Sequence, residues 1–185
     1  MTSLSFPLLT YASAASSGSK GIIVGDSILG GNPILQSFTF PALIMADKLL
    51  VENNNSLTQA VFPALVTIGY DGVNIEANPV LINQDFPLLM TVGNDYVIQN
   101  NALLTTLTQP SLTIITGGGI IISDNPSLLN VSISSLLSSP DEVTINNNVV
   151  LTTITINIAL NVTIGGTYDF FGNALTQVSV DDILN

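Results

Sequence analysis

An asparagine followed three residues later by a leucine recurs along most of the chain. The pairs are Asn32/Leu35, Asn54/Leu57, Asn78/Leu81, Asn101/Leu104, Asn125/Leu128 and Asn148/Leu151, with Asn173 and Leu175 as a shortened copy. Successive asparagines are 22, 24, 23, 24, 23 and 25 residues apart. A beat held at this length is the mark of a solenoid, in which each repeat is one turn of chain stacked on the last. At about 3.3 Å per extended residue, ~23 residues run once around a narrow loop and return about 4.8 Å above their start. One such coil buries too little apolar surface to offset the entropy of ordering it, so only the stack is stable. The expected fold is all-β: a single-stranded parallel β-helix, a leucine-rich-repeat-like β-solenoid of about seven coils.

Anchoring each coil on its asparagine exposes the walls. Three residues before it stand Leu29, Val51, Ile75, Ile98, Ile122, Ile145 and Phe170, and five before it Leu49, Val73, Tyr96, Ile120, Val143 and Tyr168, with Ser27 the exception. That alternation is the period of a strand with one face inward. Eleven residues after the asparagine come Leu43, Leu65, Leu89, Leu112 and Leu136, then Ala159; fourteen after it come Ile68, Val92, Ile115 and Val162, with Ala46 and Ser139 breaking the row. Phe-Pro introduces several coils, at Phe6-Pro7, Phe40-Pro41, Phe62-Pro63 and Phe86-Pro87, and Pro110 keeps the beat without its Phe. The chain reads as one domain over 1–185, with coils over about 21–176. Residues 1–20 are expected to form a loop or partial coil, and 177–185 a cap in which Val178, Val180, Ile183 and Leu184, with Leu175, cover the last coil.

The asparagine column, Asn32, Asn54, Asn78, Asn101, Asn125, Asn148 and Asn173, sits at a corner between inward apolar columns. An inward asparagine there can bond both the turn backbone and the asparagine of the next coil, making an internal ladder. The competing explanation is that asparagine simply tolerates turn geometry.

The segment Phe62-Pro63-Ala64-Leu65-Val66-Thr67-Ile68-Gly69, continuing through Val73-Asn74-Ile75-Glu76-Ala77-Asn78-Pro79-Val80-Leu81, resembles the receptor-L-domain type of leucine-rich repeat. That family includes the ligand-binding domains of insulin-like and epidermal-growth-factor-like receptors and fungal cell-wall organisation proteins. The resemblance implies a right-handed β-solenoid at the cell surface or outside the cell, acting in adhesion, wall architecture or ligand recognition. This chain departs from the receptor versions in lacking their cysteine-rich caps, and from the fungal ones in showing neither a signal peptide nor a lipid-anchor tail. The related treponemal-antigen-like repeats are similar too, again without their cysteines. A shared scaffold carries no particular chemistry.

Composition narrows the function. Thirteen acids stand against two basic residues, Lys20 and Lys48, giving a net charge of −11. With no basic patch, the electrostatic footing for nucleic acid or anionic lipid is missing. There is no cysteine and no histidine, which removes disulfides, thiolate and imidazole chemistry and the usual zinc sites. No apolar run is long enough to insert in a membrane.

Four acids, Asp26, Asp47, Asp71 and Asp95, fall six or seven residues before their asparagines. If stacked about 5 Å apart they could share calcium; the alternative is that aspartate favours turns. On the outward face of the strand, Ile28, Leu50, Val97 and Ile121 form a row interrupted by Asn74 and followed by Thr144 and Asp169, beside a more polar row of Gly30, Glu52, Glu76, Gln99, Ser123, Asn146 and Phe171. An apolar row on an open sheet suggests a partner surface, although scattered surface apolar residues are common. Sequons occur at Asn54, Asn130 and Asn161; Asn54, in the ladder, is expected to stay unmodified. No cofactor is expected. No catalytic set is expected either: Asp141-Glu142 and Asp181-Asp182 are adjacent pairs that point apart when extended, and glycosidases need two carboxylates converging on one cleft. The threonines Thr58, Thr105 and Thr152 share a column but skip coils, which makes no continuous ice-binding array. The expected function is non-catalytic binding of a protein or glycan through the solenoid flank. Self-association through ends or flank is the alternative, and a polysaccharide-active β-helix enzyme a remote third.

Overall fold

The computed structural model describes residues 2–12, 21–25, 31–156, 163–164 and 166–176. Among these residues the chain contains no helix and winds as a β-solenoid of about six turns. Seven ladder asparagines bound six complete revolutions, which reconciles this count with the repeat. Every strand pairing is parallel.

Each turn carries three short strand segments rather than one. The first wall is built from β1 (Ser3–Ser5), β4 (Ser37–Thr39), β6 (Gln59–Val61) and β8 (Asn83–Asp85), then β11 (Thr106–Thr108), β14 (Asn130–Ile133) and β17 (Thr153–Ile156). The second column holds β2 (Tyr11–Ala12), β9 (Thr91–Val92), β12 (Ile114–Ile115), β15 (Ser138–Ser139) and β18 (Thr163–Ile164). The third holds β3 (Ile22–Val24), β10 (Tyr96–Gln99), β13 (Ile120–Ser123), β16 (Val143–Asn146) and β19 (Tyr168–Asp169). Two longer strands, β5 (Met45–Glu52) and β7 (Thr67–Glu76), run through both of these columns and fuse them into one 12-stranded sheet.

The core is the sum of the inward columns. Val51, Ile75, Ile98, Ile122 and Ile145 oppose one another rung by rung, all fully buried. Coils begin before residue 21, because β1 pairs with β4 and Phe6 already occupies a turn of the stack. The first strand of the third column is also displaced from its expected position. Ile22, Ile23 and Val24 oppose Leu49, Leu50 and Val51, so Ile22 takes the place assigned to Ser27, and Val24 that assigned to Leu29. Five extra residues separate this strand from Asn32, which is why counting back from the asparagine missed it. At the other end Ile164, not Val162, opposes Ser139, and Ala159 lies outside the described residues. The cap expected over 177–185 lies outside them too.

The two sequence motifs turn out to be one structural device used twice per coil. The amide of Leu57, Leu81, Leu104, Leu128 or Leu151 donates to the carbonyl of the asparagine three residues earlier. In the same way Leu9, Leu43, Leu65 and Leu89 donate to Phe6, Phe40, Phe62 and Phe86. Each is a β-turn whose second position suits proline, as at Pro33, Pro41, Pro63, Pro79, Pro87 and Pro126. The leucine at its end swings inward; Leu57, Leu65, Leu81 and Leu89 are fully buried.

The asparagine ladder spans all seven positions. The backbone N–H and Nδ2 of Asn54 donate to Asn78 Oδ1 at 3.1 and 3.0 Å, and those of Asn78 donate to Asn101 Oδ1 at 3.2 and 3.3 Å. The same pair of bonds links Asn32 to Asn54, Asn101 to Asn125, Asn125 to Asn148, and Asn148 to Asn173. From Asn54 onward each Nδ2 also donates to a strand carbonyl of the preceding coil, as Asn78 does to Val51 at 2.9 Å. The residue before each inner asparagine is left-handed: Asn53, Ala77, Asn100, Asp124 and Asn147 have φ between 54° and 57°, and Gly172 has φ 75°. That kink ends the strand and tips the asparagine side chain into the interior.

Candidate functional site

The outward row of the third column is real but differs at its start. Ile28 lies outside the described residues, and Ile23, 53% exposed, is the residue opposite Leu50. From there Leu50, Asn74, Val97, Ile121 and Thr144 stand side by side in register, each half-buried. The neighbouring polar row is bonded both within itself and to polar members of the first row, Asn74 and Asp169. Asn74 Nδ2 donates to Glu52 Oε1 at 2.8 Å, Ser123 Oγ to Gln99 Oε1 at 3.4 Å, and Asn146 Nδ2 to Asp169 Oδ2 at 2.7 Å. The Asp169 carboxyl is held below the usual carboxylate range, first by the Phe171 N–H and then by this Asn146 amide. The face is thus a partly apolar strip, interrupted by Asn74, beside a strip of amides and carboxylates several of which are held by hydrogen bonds.

The acidic column does not stack as spacing suggested. Between the second and third columns β5 crosses with one residue, Asp47, where β7 uses three, Gly69, Tyr70 and Asp71. The extra residues bulge outward, leaving Tyr70 89% exposed and Asp71 exposed. Asp95 is committed to backbone: its Oδ1 accepts the Gly119 N–H at 2.9 Å. Asp26 lies outside the described residues, and among those described no three acidic side chains gather where a metal ion could sit. Counting from the asparagine hid the insertion that separates these carboxylates. The corner leaves no room for larger side chains either. A Cβ on Gly93 would sit 2.5 Å from the Gly69 carbonyl oxygen, and one on Gly117 would sit 2.7 Å from that of Gly93.

Sequence reasoning missed the outer face of the first wall. There the side chains Ser37 and Thr39, Gln59 and Val61, Asn83 and Asp85, Thr106 and Thr108, Asn130 and Ser132, and Thr153 and Thr155 project on successive rungs. All but Val61 are hydrogen-bonding, and Asp85 carries the one charge in this set. The signal was present five and seven residues after each asparagine, flanking an inward residue six after it. Thr58, Thr105 and Thr152 lie at the edge of this wall, alternating with Ile82 and Leu129, and Thr58 Oγ1 bonds the Gln36 carbonyl. Of the sequons, Asn54 is fully buried in the ladder, Asn130 is exposed on β14, and Asn161 lies outside the described residues.

Comparison of the chain with family models, with curated proteins and with solved structures returned no match.

Proposed function

We propose that this protein is a non-catalytic scaffold that binds a protein or glycan ligand at the cell surface or outside the cell, through the outward face of its 12-stranded sheet. The observation that carries the reading is the register of that face. Leu50, Val97 and Ile121 form an apolar strip at the rung spacing, and a strip of oriented polar groups runs beside it. Apolar contact for affinity next to fixed donors and acceptors for specificity is the usual anatomy of a recognition surface. The similarity of the repeat to receptor L-domains points the same way.

The test is an array of surface polysaccharides and extracellular proteins probed with wild type and with the V97K/I121K double variant. The reading expects a ligand class retained by wild type and weakened at least tenfold in a variant of unchanged circular dichroism. Binding that survives both lysines undiminished contradicts it. A second reading, self-assembly, is favoured by the exposed apolar residues near the ends of the described stack: Leu8 is 88% exposed and Phe171 80%. Light scattering across concentration separates the two, since a persistent monomer argues against assembly.

A further inference from the structure

The first wall is not continuous. Its rungs form a four-stranded sheet, β1-β4-β6-β8, and a separate three-stranded sheet, β11-β14-β17, with no pairing between β8 and β11. The sheet behind it, by contrast, runs unbroken through the same level, from β7 through β10 to β13. The bonds that flank every neighbouring rung stop here as well. Phe40 N donates to Val61 O, Phe62 N to Asp85 O and Gln109 N to Ser132 O, but among the described residues Phe86 N has no such counterpart. Ile82 N reaches Thr58 O and Leu129 N reaches Thr105 O, while Thr105 N makes no equivalent bond.

Two glutamines sit on either side of this gap, in columns that are otherwise apolar. Gln84 follows Phe38 and Ala60 and precedes Leu107, Val131 and Ile154; Gln109 follows Phe40, Phe62 and Phe86 and precedes Ile133 and Ile156. Both are buried, and neither amide has a hydrogen-bond partner at its oxygen or its nitrogen. The Tyr96 hydroxyl, from the facing sheet, is fully buried and lies close enough to the Gln84 side chain to interact with it electrostatically, but the two do not form an aligned hydrogen bond. Five of the six buried side-chain polar atoms without a partner, counted among the described residues, belong to these three residues. The gap also falls where the core changes character. The packed rings of Phe40, Phe62 and Phe86, the first pair stacked and the second tilted, with centroids 5.4 and 5.2 Å apart, give way to the slimmer Ile133 and Ile156.

Unpaired polar groups in a core are strongly unfavourable unless something satisfies them, and internal water is the usual partner of buried amides and hydroxyls that lack a protein one. We infer that the gap between β8 and β11 is a hydrated seam, in which water reaching inward between Asn83, Asp85, Thr106 and Thr108 bridges Gln84, Gln109 and Tyr96. The seam divides the wall into two independently ladder-bonded stacks, held in line by the opposite sheet and the asparagine ladder.

Residue-resolved amide exchange of the whole chain, with water–amide cross-relaxation by NMR, tests this. The expected result is exchange at least tenfold faster for 83–86 and 105–108 than for 59–62 and 130–133, with long-lived water contacts at the Gln84 and Gln109 side-chain amides. Uniform protection along the wall, or glutamine amides without water contacts, overturns the inference. The Q84L/Q109I double variant, and Q109I alone should the double not fold, is expected to slow exchange at the seam. Unchanged fast exchange in a folded variant would show that the glutamines do not hold the seam open, and overturns it too.

Discussion

Asn78 illustrates what a single side chain does in this molecule. Its Oδ1 accepts two donors from Asn54, and its Nδ2 donates to Val51, Glu76 and Asn101. Replacing it with alanine leaves buried backbone and side-chain groups on two coils without partners. Asn78→Ala is therefore expected to lower stability by about 1–3 kcal/mol in chemical denaturation; a midpoint equal to wild type would refute a bonded ladder. One residue earlier, Ala77 occupies a left-handed conformation, φ 54°, that its counterparts fill with asparagine, aspartate or glycine. A Cβ in that region is strained, and asparagine tolerates it better. Ala77→Asn should stabilise the fold by about 0.5–1 kcal/mol, read as a higher denaturation midpoint at unchanged slope. Burial drives the Tyr96 hydroxyl proton well above its ordinary pKa of 10. The unfolded chain releases that proton near pH 10 and the folded chain does not. Stability should then fall above that pH by roughly 1.4 kcal/mol per pH unit from this residue. Tyr96→Phe should remove that part of the alkaline slope in a pH series of melts.

At the scale of elements, the recurring unit is a β-turn ending in an inward leucine, used at the asparagine corner and again at the phenylalanine corner. The phenylalanines form a continuous stack: Phe6, Phe40 and Phe62 have nearly parallel rings in successive pairs, at centroid separations of 4.8 and 5.4 Å, and Phe38 packs edge-on against Phe62 at 5.5 Å. Phe62 is fully buried at the middle of this stack, so Phe62→Ala is expected to cost about 3–5 kcal/mol. A loss below 1 kcal/mol in urea unfolding would show that the neighbouring rings close the space. Much of this architecture was legible in the sequence because a stacked coil repeats its inward residues at a fixed phase from Asn32 through Asn173. Legibility failed where the phase slips. The five residues inserted before Asn32 moved the first strand to Ile22–Val24, and the bulge after Ile68 separated Asp47 from Asp71. It failed again at Gln84 and Gln109, since a column position says which way a side chain points and nothing about whether its polar atoms find partners.

The whole molecule is quasi-one-dimensional: each coil touches its neighbours and little else, so the stack, not any single turn, is the stable unit. That geometry presents two broad outer faces, one carrying the Leu50–Ile121 strip and the other the hydroxyl- and amide-rich wall, on a rigid and strongly acidic body. The decisive quantity is how distance grows along the chain. Asn55 and Val149 are both exposed and follow ladder asparagines four rungs apart, although 94 residues separate them. Cysteines at these positions, the first in a chain that has none, can each carry a spin label. Pulsed electron resonance should give a separation near 19 Å, four steps of about 4.8 Å, shortening to about 14 Å when the second label moves to Pro126. A separation that does not shorten by one rung spacing, or that follows sequence distance instead, would contradict the stacked-coil account.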